Sequence, residues 1–279
     1  MKSYLDITLE AAQKAGAIIK DNFHKNKLID YKGRINLVTN VDMEAERTVI
    51  ETIKNYYPAH NILTEETEYN QNPDQEYCWV IDPLDGTTNY VHGFPFVCVS
   101  IALQKDGESI VGVVYNPILD ELFYSEKGKG SFRNNEPISV SDNADFSKSL
   151  LATGFPYDML NEERNNIKNF SNVIRECRGI RRPGAAALDL CYVARGIFDG
   201  YWELELFPWD TAAGILILEE AGGKVSTFDG SKFSIFDKEI AASNGKIHKE
   251  LLKVLVQKKG SQKTHQTFCH TAFTEKPTS

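Results

Sequence analysis

The chain has 279 residues, 42% hydrophobic and 25% charged. This ordinary globular composition excludes a disordered or fibrous protein and allows one large α/β unit or two lobes on a shared core. The formal charge of −8, from 39 acidic against 31 basic residues, speaks against direct nucleic-acid binding, which needs a basic face. It also means that an anionic ligand would need cations to hold it.

The first helix is predicted from Leu5, Leu9, Ala12, Gly16, Ile19 and Phe23, which form an apolar stripe at steps of four and three. After the polar break Lys32-Gly33-Arg34, Asp42 opens a second helical pattern carrying Ala45, Val49, Ile50 and Ile53, and Pro58 ends it. From Trp79 to Tyr124 the texture is that of strands. Val97–Leu103 and Ile110–Tyr115 flank Lys105-Asp106-Gly107, the signal of a hairpin, and this series of hairpins implies antiparallel pairing. Helices are expected around Ile167–Cys177, over Ala186–Ala194 and over Thr211–Ala221, closed by Gly222-Gly223. Short strands over Phe198–Trp202, Lys224–Thr227 and Ile240–Ala242 separate them. From about Gln257 the chain is polar and aperiodic and reads as a disordered tail over 257–279.

No stretch approaches the roughly 20 apolar residues of a membrane span. No apolar leader with a small-residue cleavage site follows Met1. The five cysteines, Cys78, Cys98, Cys177, Cys191 and Cys269, contain no C-x-x-C pair. A cytoplasmic protein with reduced thiols and no membrane partner is expected.

The chemistry concentrates in acidic segments. Trp79-Val80-Ile81-Asp82-Pro83-Leu84-Asp85-Gly86-Thr87-Thr88 runs from a buried strand into two carboxylates and a turn whose N–H groups suit an anion. An ordinary strand-to-turn junction uses the same residue types. Glu65-Glu66 follows the apolar run Asn61–Thr64, and a solvated loop is its plain reading. Asp42 and Asp210 each stand where a helix begins and would serve equally as N-caps. Carboxylates gathered in one cleft repel, each pair about 4 Å apart by roughly 4 kcal/mol at an effective dielectric near 20. Hard divalent cations such as Mg²⁺ remove that repulsion and would also hold a phosphate and activate water.

Taken together, these motifs resemble the inositol monophosphatase family. Asp82-Pro83-Leu84-Asp85-Gly86-Thr87-Thr88 is similar to its first signature, and Trp209-Asp210-Thr211-Ala212-Ala213-Gly214 with Glu220-Ala221-Gly222-Gly223 to its second. Leu37-Val38-Thr39 leading to Asp42, and Thr64-Glu65-Glu66-Thr67, match the remaining acidic elements in order, and the likeness covers roughly residues 4 to 255. The resemblance implies a mixed α+β and α/β fold, a five-layer αβαβα sandwich. An N-terminal half (1–150) would carry most of the metal ligands, beside a C-terminal half (151–256).

It further implies Mg²⁺-dependent hydrolysis of a small phosphate monoester, with two to three ions per site. Glu65, Asp82 and the Leu84 carbonyl would hold one ion, and Asp82, Asp85 and Asp210 a second, while Glu65 faces a third, weaker one. Thr87, bonded to Asp42, would orient and deprotonate the attacking water, and Gly86 and Thr87 N–H groups would grip phosphate. Gly184, Ala185, Ala186 and Glu203 would line the alcohol side. Where Ala185 stands the family often has Ser or Thr, and Asn36 stands where Asp is usual, so Lys32 is an unsettled phosphate contact. Li⁺ inhibition and a homodimer are implied as well, with Arg181 and Arg182 either at the interface or facing substrate. Myo-inositol monophosphate is the expected substrate, with fructose 1,6-bisphosphate, histidinol phosphate, NADP or 3′-phosphoadenosine phosphates as the alternatives, because the signature reads phosphate and metal rather than alcohol. Bacterial relatives also suggest a protein-binding role in transcription. His92 reads as structural, the tail residues His265, Cys269 and His270 lack a fourth Zn²⁺ partner, and Tyr56, Tyr57, Phe94 and Phe96 read as packing.

Overall fold

Two buried faces on single strands organise this molecule. In the strand that carries the signature, Trp79 and Ile81 enter one apolar cluster while Val80, between them, enters another. That is why the segment is a continuous apolar run rather than an alternating one: both faces of its sheet are covered. The computed structural model describes residues 2–25, 29–31, 37–67, 75–156 and 165–255, with the backbone alone described at 29–31 and 37–38. The predicted tail, Lys32, Asn36, His265, Cys269 and His270 lie outside these residues.

In chain order the elements begin with α1 (Tyr4–Asn22), β1 (Ile29–Tyr31), β2 (Leu37–Thr39), α2 (Asn40–Tyr56), β3 (Asn61–Thr64), β4 (Tyr77–Asp85) and α3 (Thr87–His92). They continue with β5 (Cys98–Lys105), β6 (Glu108–Asn116), β7 (Glu121–Glu126), β8 (Ser131–Arg133), β9 (Glu136–Ile138) and β10 (Leu150–Thr153). The rest are α4 (Ile167–Val173), β11 (Gly179–Arg181), α5 (Ala186–Ala194), β12 (Gly200–Leu204), α6 (Pro208–Glu220), β13 (Lys224–Ser226), β14 (Glu239–Ser243) and α7 (His248–Leu255).

The elements stack as αβαβα. Helices α1 and α2 cover the outer face of a seven-stranded sheet of order β3-β4-β5-β6-β7-β8-β9, burying Ile19, Ile53, Trp79, Ile81 and Ile101. The layer between the two sheets is α5 and α6, packed around Val80, Ala102, Val114, Ala187, Ala213 and Tyr201. The second sheet, β11-β10-β12-β14-β13, presents Leu151, Trp202 and Ala241 to the outer helices α4 and α7 through Val173, Leu251 and Val254. Helix α6 lies very close to β6: a Cβ on Gly112 would stand 2.8 Å from the Ala213 carbonyl oxygen, so glycine lets the backbones meet.

From β4 to β9 every pairing is antiparallel, as the hairpin series predicts, and Asp106 and Gly107 take the positive φ values (50° and 79°) of the tight turn. The edge differs, because β3 runs parallel to β4. Several short strands escape the periodicity reading, β1, β2, β8 and β9 among them. Both β10 and β11 are short, and they pair parallel with each other, with β10 also parallel to β12. Helix α4 stops at Val173, short of the expected Cys177. Neither Asp42 nor Asp210 is an N-cap. Each is the third residue of its helix, and the caps are Thr39 and Phe207.

Candidate active site

The ladder between β4 and β5 loses register between Asp82 and Asp85, where Pro83 has no N–H to give. This irregular end places both carboxylates in the protein interior, Asp82 at 1% and Asp85 at 8% exposure. Asp82 Oδ1 accepts from Leu84 N at 3.0 Å, and Asp85 Oδ2 accepts from Ala187 N at 2.8 Å, at the start of α5. Gly86 then turns the chain into α3 at φ 92°, where a side chain would press on the Phe96 and Gly184 carbonyls at 3.0 and 3.3 Å. The Asn89 amide holds this junction closed, donating to Phe96 O and Pro183 O at 2.8 Å each.

Helix α2 delivers Asp42. Its Oδ2 accepts from Thr39 N (2.9 Å) and Thr39 Oγ1 (2.5 Å), and its Oδ1 faces Thr87 Oγ1 at 3.0 Å. Thr87 Oγ1 also lies 3.1 Å from Leu84 O. A hydroxyl has one proton for these two acceptors, so it donates to one of them at a time and keeps acceptor capacity of its own. Helix α6 delivers Asp210, whose Oδ2 accepts from Phe207 N at 2.7 Å. Strand β12 delivers Glu203, whose Oε2 accepts from Tyr201 Oη at 2.5 Å. Asp82, Asp85 and Asp210 thus each spend one oxygen on their own segment or on α5. No hydrogen bond from the described residues reaches the second oxygen of any of the three.

The charges are set against one another. Burial raises the Asp82 carboxyl well above the ordinary range, and Glu65, Asp85 and Asp210 raise it further. Asp210 is raised well above it by burial and then by Asp85 and Glu65. Burial pushes Asp85 up to about 7, with Glu203 and Glu65 adding to it, and Glu203 up to about 7, with Asp210 adding to it. For Asp42 burial outweighs the hydrogen bonds from Thr39 and Thr87, and its carboxyl is raised. The opposing cations are few: Arg182 favours the charged form of Glu203, and Lys238 that of Asp210.

Glu65, Asp82, Asp85 and Asp210 therefore act on one another electrostatically. They do not form a closed set, since no three His, Cys, Asp or Glu side chains among the described residues are grouped tightly enough to hold an ion. A cation would have to draw them inward. The donor chemistry fits a hard divalent ion: one oxygen each of Asp82, Asp85 and Asp210 that takes no hydrogen bond from the described residues, backed by a backbone carbonyl and mutually destabilised while charged.

The other predicted residues are spread more widely. Gly184 (φ 91°) and Ala185 pack against Gly86, and Ala186 opens α5. Arg181 is exposed on β11, while the charge of Arg182 reaches Glu203 and Asp189. His92 is exposed in the last turn of α3, and Tyr56 and Phe94 are exposed where Phe96 is buried.

Sequence reasoning passed over Glu46. This buried carboxylate accepts from Thr64 Oγ1 at 2.7 Å, from Glu66 N at 3.0 Å and from Thr67 Oγ1, and so fixes the segment that carries Glu65. The available signal was its spacing: Asp42 and Glu46, four apart, lie on one helical face. Asn89, Tyr201 and Asp189 were also passed over.

A sequence model described as the inositol monophosphatase family matches residues 1–260. The chain belongs to that family. An inositol-1-monophosphatase from Synechocystis is 46% identical over 256 residues, 91% of this chain and 89% of its own. The protein called Nus factor SuhB in Escherichia coli is 42% identical over 254 residues, 90% of this chain and 95% of its own. The solved inositol monophosphatase from Anabaena superposes with a TM-score of 0.84 at 46% identity, covering 91% of this chain and 95% of that one. As a member of the inositol monophosphatase family the chain is a phosphoric monoester hydrolase acting on a small phosphorylated substrate, and the family is metal-dependent. None of its described helices is long and apolar enough to cross a membrane.

Proposed function

We propose that the chain hydrolyses myo-inositol monophosphate to myo-inositol and phosphate with Mg²⁺, two to three ions per site. The observation that supports this reading is that Glu65, Asp85 and Asp210 all raise the buried Asp82 carboxyl, with Thr87 held by Asp42 nearby. Bound divalent ions would neutralise these carboxylates and the phosphate and lower the pKa of water.

The chain's own groups do the rest. Asp82, Glu65 and the Leu84 carbonyl would hold one ion, Asp82, Asp85 and Asp210 would hold a second, and Glu65 would serve a third. Thr87 Oγ1, its proton turned toward Asp42, accepts a hydrogen bond from water and aligns it for in-line attack on phosphorus. Asp42 Oδ1 is the base behind it. The Gly86 and Thr87 N–H groups bind phosphate oxygen. Gly184, Ala185 and Ala186 wall the alcohol side, and Glu203 accepts a substrate hydroxyl through the oxygen that Tyr201 leaves free. A cytoplasmic homodimer inhibited by Li⁺ completes the reading, and retained turnover at tens of millimolar Li⁺ would contradict it.

The test is phosphate release from myo-inositol monophosphate, fructose 1,6-bisphosphate, histidinol phosphate, NADP and 3′-phosphoadenosine phosphate, with Mg²⁺ present and then chelated. Preference for another of these esters would replace the substrate, and activity that survives chelation would refute the metal. A second reading, a protein-binding role in transcription, rests on the likeness to the protein called Nus factor SuhB. Asp85→Asn separates the two, since hydrolysis should vanish while the binding of partners persists.

A further inference from the structure

The layer between the sheets holds an acidic group that the reading above does not use. Asp189 lies in α5, one turn after Ala185, whose carbonyl accepts the Asp189 N–H at 3.0 Å. It is 1% exposed, and its Oδ1 is the buried side-chain oxygen that lacks a hydrogen-bond partner among the described residues. Asp189 caps no helix and pairs with no Lys or Arg among the described residues; its helix is capped at Ala185, and the Ala187 N–H turns to Asp85. The charged groups that act on it belong to the cleft: Glu203, Asp85 and Arg182. Tyr201, bonded to Glu203, senses both Asp189 and Glu203.

A buried acid without a partner costs stability, so proteins keep one where a ligand completes it. Asp189 shares the helical face of Ala185 and Ala186, because residues three and four apart project to the same side. Glu203 approaches from the facing strand, its carboxylate within 2.2 Å of where a side chain on Gly154 would begin. Two acids from two elements thus act on one another and on Asp85.

We propose that Asp189 is a specificity-determining residue. With Glu203 it forms an alcohol-side subsite that receives a second hydroxyl of the substrate, so the site selects phosphates of polyols with adjacent hydroxyls over phosphates of simple alcohols. This rests on the polyol-phosphate reading above. Asp189 takes no part in attack on phosphorus, so its removal changes which ester binds and leaves the chemistry intact.

The test compares wild type, Asp189→Asn and Asp189→Leu on three esters: myo-inositol 1-phosphate, an analogue lacking the hydroxyls beside the ester carbon, and propyl phosphate. Asp189→Leu should raise KM for the inositol ester at least tenfold and leave kcat/KM for propyl phosphate within twofold. Its Tm should stay level or rise, because an unpartnered buried acid has gone. Asp189→Asn, which still bonds a hydroxyl, should fall between. Equal effects on all three esters, or a Tm lowered in both variants, would assign Asp189 to the fold and overturn the proposal. If Asp189→Leu does not fold, wild type decides: it should discriminate at least tenfold against the deoxy analogue, and equal kcat/KM for the two would overturn the subsite. Wild type that cleaves propyl phosphate but no polyol phosphate would instead refute the underlying reading.

Discussion

Glu46 offers a direct test of how the fold sets the site. Its carboxylate accepts from Thr64 Oγ1, Glu66 N and Thr67 Oγ1, on both sides of Glu65. In Glu46→Ala all three donors lose their acceptor, but not at equal cost. Thr67 is exposed and Glu66 half-buried, and both can turn to water, whereas Thr64 is buried. A stranded buried donor costs about 1–3 kcal/mol, and hydrogen bonds to a charged acceptor are the stronger kind. The sum is about 3 kcal/mol, which in a protein of this size lowers Tm by roughly 6–12 °C. Turnover should fall further than stability, because a ligand displaced by about 1 Å can cost a hundredfold. Glu46→Gln, which keeps the length and one acceptor oxygen, should recover part of the Tm and less of the activity. Melting curves and phosphate release report the two effects separately. Glu46→Ala with wild-type Tm and turnover would show that the Thr64–Thr67 segment holds its place without this carboxylate.

Three further outcomes follow from the same geometry. Thr87→Val removes the hydroxyl between Asp42 and Leu84 but leaves Asp42 its bonds from Thr39. Stability should change by about 1 kcal/mol while kcat drops at least a hundredfold, and a variant with normal kcat would remove Thr87 from catalysis. In cation-free protein, Asp85 and Glu203 are each raised to about 7, so the folded state binds more protons than the unfolded one. The stability they confer is complete below the ordinary carboxyl range near pH 4 and is lost as pH rises through about 7. The Tm in chelator should accordingly be lower at pH 8 than at pH 5, and added Mg²⁺ should restore it at pH 8; a Tm that rises with pH in chelator would contradict the reading. Gly112→Ala would press a methyl group on the Ala213 backbone. A cost of about 2 kcal/mol is expected, seen as a Tm lower by roughly 4–8 °C, and an unchanged Tm would show that α6 can recede from the sheet.

The local elements were legible where one physical rule decided them. The α1 stripe, the span of α5 and the Asp106-Gly107 turn all stand where pattern and turn chemistry put them. The short strands β10 and β11 were not legible, because three or four residues in a parallel pairing carry no period that distinguishes them from a loop. Asp42 and Asp210 looked like caps because the third helical position draws acidic residues for the same reason the cap does: both satisfy free N–H groups at the first turn. Asp189 sits in Leu188-Asp189-Leu190-Cys191 and signals nothing by itself. Its burial depends on α5 lying between two sheets, which only the assembled layers reveal.

The division of labour within each carboxylate has a consequence for how such a protein could change. At Asp82, Asp85 and Asp210 one oxygen secures the architecture and its twin takes no hydrogen bond from the described residues. Exchange of that second atom for an amide nitrogen keeps the first contact and abolishes the negative charge. A folded, catalytically silent descendant is therefore one substitution away at any of three positions, and the scaffold would survive its enzyme.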